Sequence, residues 1–267
     1  MSGFLDRLAV ILRRDLLTAV RYRSASGMYV GGMLAELAAF YYLARAVGPG
    51  FRPDGVDYFP FLLLGTGFYG FFVAGVASFV NSIHDAQLTG TMEVLMTTST
   101  PEPELVFLTA VSAFFTRTLH LAFYVAVGMV VFRVELTHPN VVGALAVFVL
   151  SMGIAVAAGI AIAAVQVAIQ RGSGIVWLMG SLLWLLTGTT FPVSALPGPL
   201  RRLAEIIPIT HSLDGLRLAL LRGADLGTLA RSLAILAGWV IVLLPASIWL
   251  FGRALRYARR EGSLSYY

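Results

Sequence analysis

The chain has 267 residues, 58% of them hydrophobic and 12% charged, whereas an ordinary soluble domain is about 45–50% apolar and about 25% charged. This composition excludes a soluble enzyme, and an aromatic share of 12% excludes a chain that stays unfolded in water. All nineteen basic residues are Arg, with no Lys and no Cys, so Schiff-base and P-loop lysines, disulfides and thiolate metal sites are absent, and the net charge of +5 reports membrane orientation rather than a nucleic-acid patch.

The first 26 residues lack the uninterrupted apolar core and small-residue cleavage site of a signal peptide. On a helical wheel Leu5, Leu8, Leu12, Leu16 and Ala19 form one stripe, interrupted by Val10 and Leu17. Asp6, Arg7, Arg13, Arg14 and Arg21 lie opposite. Residues 1–26 therefore read as an amphipathic helix lying on the inner leaflet. Residues 27–267 read as a transmembrane domain.

A hydrocarbon core about 30 Å thick needs about 20 apolar residues per helix. Six stretches qualify: 27–47, 58–80, 105–132, 141–169, 174–193 and 229–251. None alternates with the period of a barrel strand. The expected fold is all-α and polytopic, with six transmembrane helices. Ten loop arginines lie on the side of the N-terminus and six on the other; five precede the first span and four follow the last. That bias places both termini in the cytoplasm.

Two connections exceed a turn. Residues 81–104 contain no Arg but carry Asp85, Glu93, Glu102 and Glu104, an acidic inner loop against the general bias. Thr91 there caps a short helix over 92–96, and Pro101 and Pro103 end the element. Such an exposed, capped helix is suited to docking. Residues 194–228 combine Pro197, Pro199 and Pro208 with amphipathic runs in which Leu213, Leu216 and Leu220 share a face and Asp214 lies three residues before Arg217. They predict short helices at the outer leaflet.

Gly65, Gly67 and Gly70 spell the dinucleotide fingerprint, but inside an apolar span without its strand and acidic residue. Like Gly153, Ala157 and Gly159, they read as close helix contacts. Intramembrane ionisable residues are the stronger functional signal. Glu36 lies about nine residues into the first span and Arg117 near the centre of the third, with His120 and Tyr124 on the same face. A Glu36–Arg117 ion pair extended by His120 is expected, serving to orient two helices or to relay protons. The four His have no metal-ligand spacing, and no nucleophile motif is present, so neither catalysis nor a metal site is indicated. Aromatic residues crowd the first two spans. Among them Tyr41, Tyr42, Phe68, Tyr69 and Phe72 are candidates for lining a route, because aromatic faces slide past amphipathic molecules.

These features resemble the permease subunit of type-2 ATP-binding-cassette exporters, which move drugs, lipids and polysaccharides. Three regions carry the resemblance: DYFPFLLLG at 57–65, QLTGTMEVL at 87–95, and FPVSALP at 191–197 continuing to PITHSLDGLR at 208–217. The resemblance implies that the 81–104 loop holds a coupling helix, with Gly90, Thr91, Glu93 and Leu95 touching an ATPase. It also implies that 194–228 forms extracellular helices, and that two permease copies assemble with the first, second and fifth spans lining the path. The basic residues usual around the coupling segment are missing here. Because the chain has no Lys it cannot build a P-loop. ATP and Mg would then be bound by a separate ATPase subunit, with no cofactor and no catalysis in this chain. The expected location is the inner (plasma) membrane of a bacterial or archaeal cell, with no nucleic acid as partner. The alternative is a self-sufficient proton-coupled carrier using Glu36, Arg117 and His120, although no inverted repeat relates the two halves.

Overall fold

The computed structural model describes residues 23–88, 102–134, 136, 138–169 and 172–261. Every regular element among them is helical. They are α1 (Arg23–Val47), α2 (Tyr58–Leu88), α3 (Glu102–Phe132), α4 (Val141–Ile169), α5 (Gly172–Leu186), α6 (Gly198–Ile206), α7 (Pro208–Leu221) and α8 (Leu226–Glu261), with 3-10 turns at Pro53–Gly55 and Val193–Ala195. Five helices are long and apolar enough to cross a bilayer: α1, α2, α3, α4 and α8.

The expectation of six full spans fails at the fifth. The apolar run over 174–193 predicts a spanning helix, but α5 ends at Leu186 after 15 residues, about 22 Å of rise against a hydrocarbon core of about 30 Å. The chain breaks at Thr187, Gly188, Thr189 and Thr190. Thr187 Oγ1 donates back to Leu183 O at 2.6 Å, and Gly188 takes a left-handed φ of 74°. Gly favours that conformation because it has no Cβ. Short helices are expected within 194–228, and two are present there, α6 and α7.

α2 is the centre of the bundle. It packs on α1, α3, α4 and α5, while α8 lies along α4. Phe68, Phe71, Phe72 and Phe79 on α2 join Phe114, Ile154, Ile160 and Leu213 in the main core. Apolar burial alone does not drive helices together in lipid, so close packing must. Gly75 receives the Phe114 ring and Gly128 the Leu63 side chain. Gly153 faces Val240 and Gly159 faces Phe114, so the small residues of α4 act as packing sites as the sequence predicts. Gly67 lies against Tyr124 and Leu121, whereas Gly70 faces open space.

α2 and α3 run antiparallel in a register fixed by three contacts: Phe59 with Phe132, Thr66 Oγ1 with Tyr124 Oη at 3.0 Å, and Gly75 with Phe114. α1 joins this pair through Met33 and Leu37, which pack with Leu63 and Tyr124. Tyr41 adds ring contacts to Phe59 and Phe132, making an aromatic cluster where α1, α2 and α3 meet. α8 has 36 residues with Pro245 inside, about 54 Å of rise, and so extends beyond the hydrocarbon.

Candidate functional site

Two of the sequence regions that carry the family resemblance meet at a single buried guanidinium. Arg217 on α7 donates from Nη1 to Gly188 O at 2.8 Å and from Nη2 to Phe61 O at 3.0 Å and Thr189 O at 3.1 Å. Its Cζ lies 3.4 Å from the centre of the Phe61 ring. The side chain is 5% exposed, so this arginine of the 194–228 connection is buried rather than solvated. The negative end of the α5 dipole and the orphan carbonyls of the broken turn compensate the Nη end of the charge, while Nε is buried without an acceptor among the described residues. Tyr58 Oη adds a bond to Thr190 O at 3.1 Å, and Thr187 Oγ1 pairs with Thr189 Oγ1 at 3.0 Å. Gly65 makes the approach possible, since a Cβ there would collide with Thr189 O and the Arg217 guanidinium. Arg217 thus clamps α7 to the end of α5 and to the first turn of α2.

Beside the clamp a cavity of about 350 Å³ is lined by Asp54, Arg201, Glu205, Asp214, Arg217 and Arg222, among others. Arg201 pairs with Glu205 at 3.0 Å. Burial pushes the Asp214 carboxyl up, against the pull of Arg217. Burial also lowers Arg217, to about 10, so it stays charged at neutral pH. The expected Asp214–Arg217 proximity is therefore electrostatic and longer than a contact ion pair. Arg52 and Asp57 form an exposed ion pair at 3.1 Å.

Glu36 and Arg117 are not brought together. Arg117 donates from Nε and Nη2 to Ser78 Oγ, at 3.1 and 2.7 Å. The physical reason is depth. Leu37, beside Glu36, packs at the level of Tyr124, and Arg117 lies seven residues before Tyr124, about 10 Å further along α3. Side chains on a helix point toward its N-terminus, so the Arg117 guanidinium extends further still from Glu36. Glu36 sits on the exposed side of α1. His120 stays on the Arg117 face, half-buried.

The path-lining candidates separate. Phe68 and Phe72 are buried in the core, because α2 is covered on the side they occupy, so they line no surface of the protomer. Tyr69 is half-buried, with Oη donating to Gly180 O at 3.2 Å and its ring against Trp184. Tyr41 packs in the aromatic cluster, and Tyr42 is exposed. Gly90, Thr91, Glu93 and Leu95, the short helix over 92–96, and residues 1–22 of the N-terminal helix lie outside the described residues.

Comparison with protein families matches residues 49–249 to the profile described as ABC-2 family transporter protein. The chain belongs to the ABC-2 transporter family. Comparison with curated proteins returns no match. The ABC-2 match covers α2 to α7 and most of α8, and includes every residue of the Arg217 clamp. The protein is accordingly an ABC-transporter permease, a multi-pass membrane component. The sequence singled out the stretches that form the clamp without revealing the clamp itself. An Arg in an amphipathic run reads as solvated until the carbonyls it bonds, 28 and 156 residues away, are located.

Proposed function

We propose that this permease is the membrane-spanning half of an ATP-driven exporter. Two copies would enclose a route, and a separate ATPase would dock on the segment containing Gly90, Thr91, Glu93 and Leu95. The ABC-2 family match carries this reading. The absence of Lys supports it, because a P-loop engine must then come from another chain. The family further implies outward movement of a lipid, glycan or hydrophobic drug. In this orientation the α6–α7 end is extracellular and both termini are cytoplasmic, in keeping with the arginine bias of the loops.

ATP-driven closure of the ATPase subunits would push the coupling segment, and α2 and α3, which flank it, would transmit the movement as packed bodies. The proton-relay alternative loses its geometry, since Arg117 is bonded to Ser78 and stands apart from Glu36. Gentle extraction should bring down an ATPase subunit, and reconstituted vesicles should transport only with ATP. A chain that purifies alone and transports without ATP would overturn the reading. Glu93→Arg should leave insertion and folding intact while uncoupling ATP hydrolysis from transport at least tenfold, read as the ratio of the two rates. An unchanged ratio removes Glu93 from the docking surface.

A further inference from the structure

We propose that Arg117, seated on Ser78, binds the phosphate of a membrane lipid at the bilayer boundary on the side of the 89–101 connection.

Depth is the first observation. The aromatic cluster of Tyr41, Phe59 and Phe132 marks one hydrocarbon boundary, in the manner of an interfacial belt. Ser78 is nineteen residues along α2 from Phe59, about 28 Å at 1.5 Å per residue, which is close to one hydrocarbon thickness. The α2–α3 register puts the Arg117 backbone near residues 72 and 73 of α2, yet its guanidinium reaches Ser78. The side chain therefore runs toward the opposite boundary, as a snorkelling arginine does. The charged head arrives at the level of lipid phosphates.

Charge is the second observation. No carboxylate among the described residues lies within 4 Å of Arg117. Ser78 Oγ takes the Nε hydrogen and one from Nη2. Nη1 and the second Nη2 hydrogen have no acceptor among the described residues. Those two nitrogens form the fork edge of the guanidinium, whose spacing matches two oxygens of one phosphate. Ser78, on the other edge, holds the fork in place, so little side-chain freedom is lost on binding. Half-burial in the seam between α2 and α3 keeps the edge accessible while reducing competition from water. A neutral ligand would leave the charge uncompensated, and a free phosphate would have to reach a boundary where lipid phosphates are already concentrated.

The test uses the purified full-length protein in neutral detergent and does not depend on an ATPase partner. Phosphatidylglycerol, diacylglycerol with the same acyl chains, and inorganic phosphate are compared at equal concentration by thermal unfolding. Phosphatidylglycerol should raise the melting temperature by about 3 °C or more, and the other two should not. Arg117→Gln should abolish the shift. Arg253→Gln with Arg256→Gln, on the surface of α8, should keep it. If Arg117→Gln does not fold, Ser78→Ala reads the same site, with the apparent affinity for phosphatidylglycerol weakened about tenfold. An equal shift with diacylglycerol, an equal shift with inorganic phosphate, or shifts and affinities unchanged in the Arg117 and Ser78 variants would each overturn the proposal.

Discussion

Arg217 combines a buried charge with three backbone acceptors, so its replacement is felt at three places at once. Arg217→Met should remove the donors and leave Gly188 O and Thr189 O without partners in a site from which water is largely excluded, while Phe61 O keeps its bond within α2. Leaving buried acceptors unpaired should cost on the order of 3 kcal/mol or more. Arg217→Lys keeps the charge but not the planar fork, and should fall between wild type and Arg217→Met in a detergent melting series. Equal melting of all three proteins would show that the clamp contributes nothing. Asp214 adds a pH dependence. Burial raises its folded-state carboxyl above the unfolded value, so the folded chain binds the proton more tightly. The resulting stability is fully present below the unfolded value, about 3.9, and is lost as pH rises through the folded one. The melting temperature should therefore climb as pH falls through the folded value toward the unfolded one, and Asp214→Asn should flatten that climb.

Helix existence could be read from the sequence because a hydrophobic span is a local property. The 141–169 run coincides with α4, and α1, α2, α3 and α8 each contain a predicted run. Where a helix begins can also be set locally. At Asn140, Oδ1 accepts from Gly143 N at 2.9 Å as an N-cap of α4, and Nδ2 donates to Ala224 O at 2.7 Å across the α7–α8 turn. Asn140→Ala should cost about 1 kcal/mol for the cap, and more because Ala224 O loses its donor. The measurement is the melting temperature beside a conservative surface change such as Arg202→Gln. The end of α5 was not readable, since Leu185, Leu186, Thr187 and Gly188 have ordinary hydropathy for a span. What terminates α5 there is a bonded turn held by Arg217. The Glu36–Arg117 pairing failed for a related reason. Counting residues from each span's start gives similar depths only if the helices enter the bilayer in register, and the packing of Leu37 with Tyr124 shows that they do not.

At the scale of the whole molecule, the protomer leaves one side of its central helix uncovered. α1 and α5 each pack on α2, yet Gly70 on α2 is exposed and a side chain there would meet nothing within 4 Å. Leu182 of α5 and Tyr42 of α1, on the two helices that flank α2 here, are exposed as well. The proposed two-fold assembly should bury this side, because an isologous interface brings the same strip of each copy toward the axis. The absence of Cys makes the test free of background. Single substitutions Gly70→Cys, Leu182→Cys and Tyr42→Cys are compared in native membranes under mild oxidation with Ile241→Cys, on the exposed face of α8. A disulfide forms only where two Cα atoms come within about 7 Å. At least one cysteine of the first set should give a covalent dimer, and Ile241→Cys should stay monomeric. Dimers through Ile241→Cys alone would move the interface to α8. Monomers throughout would leave the copies without the contact that encloses a route between them.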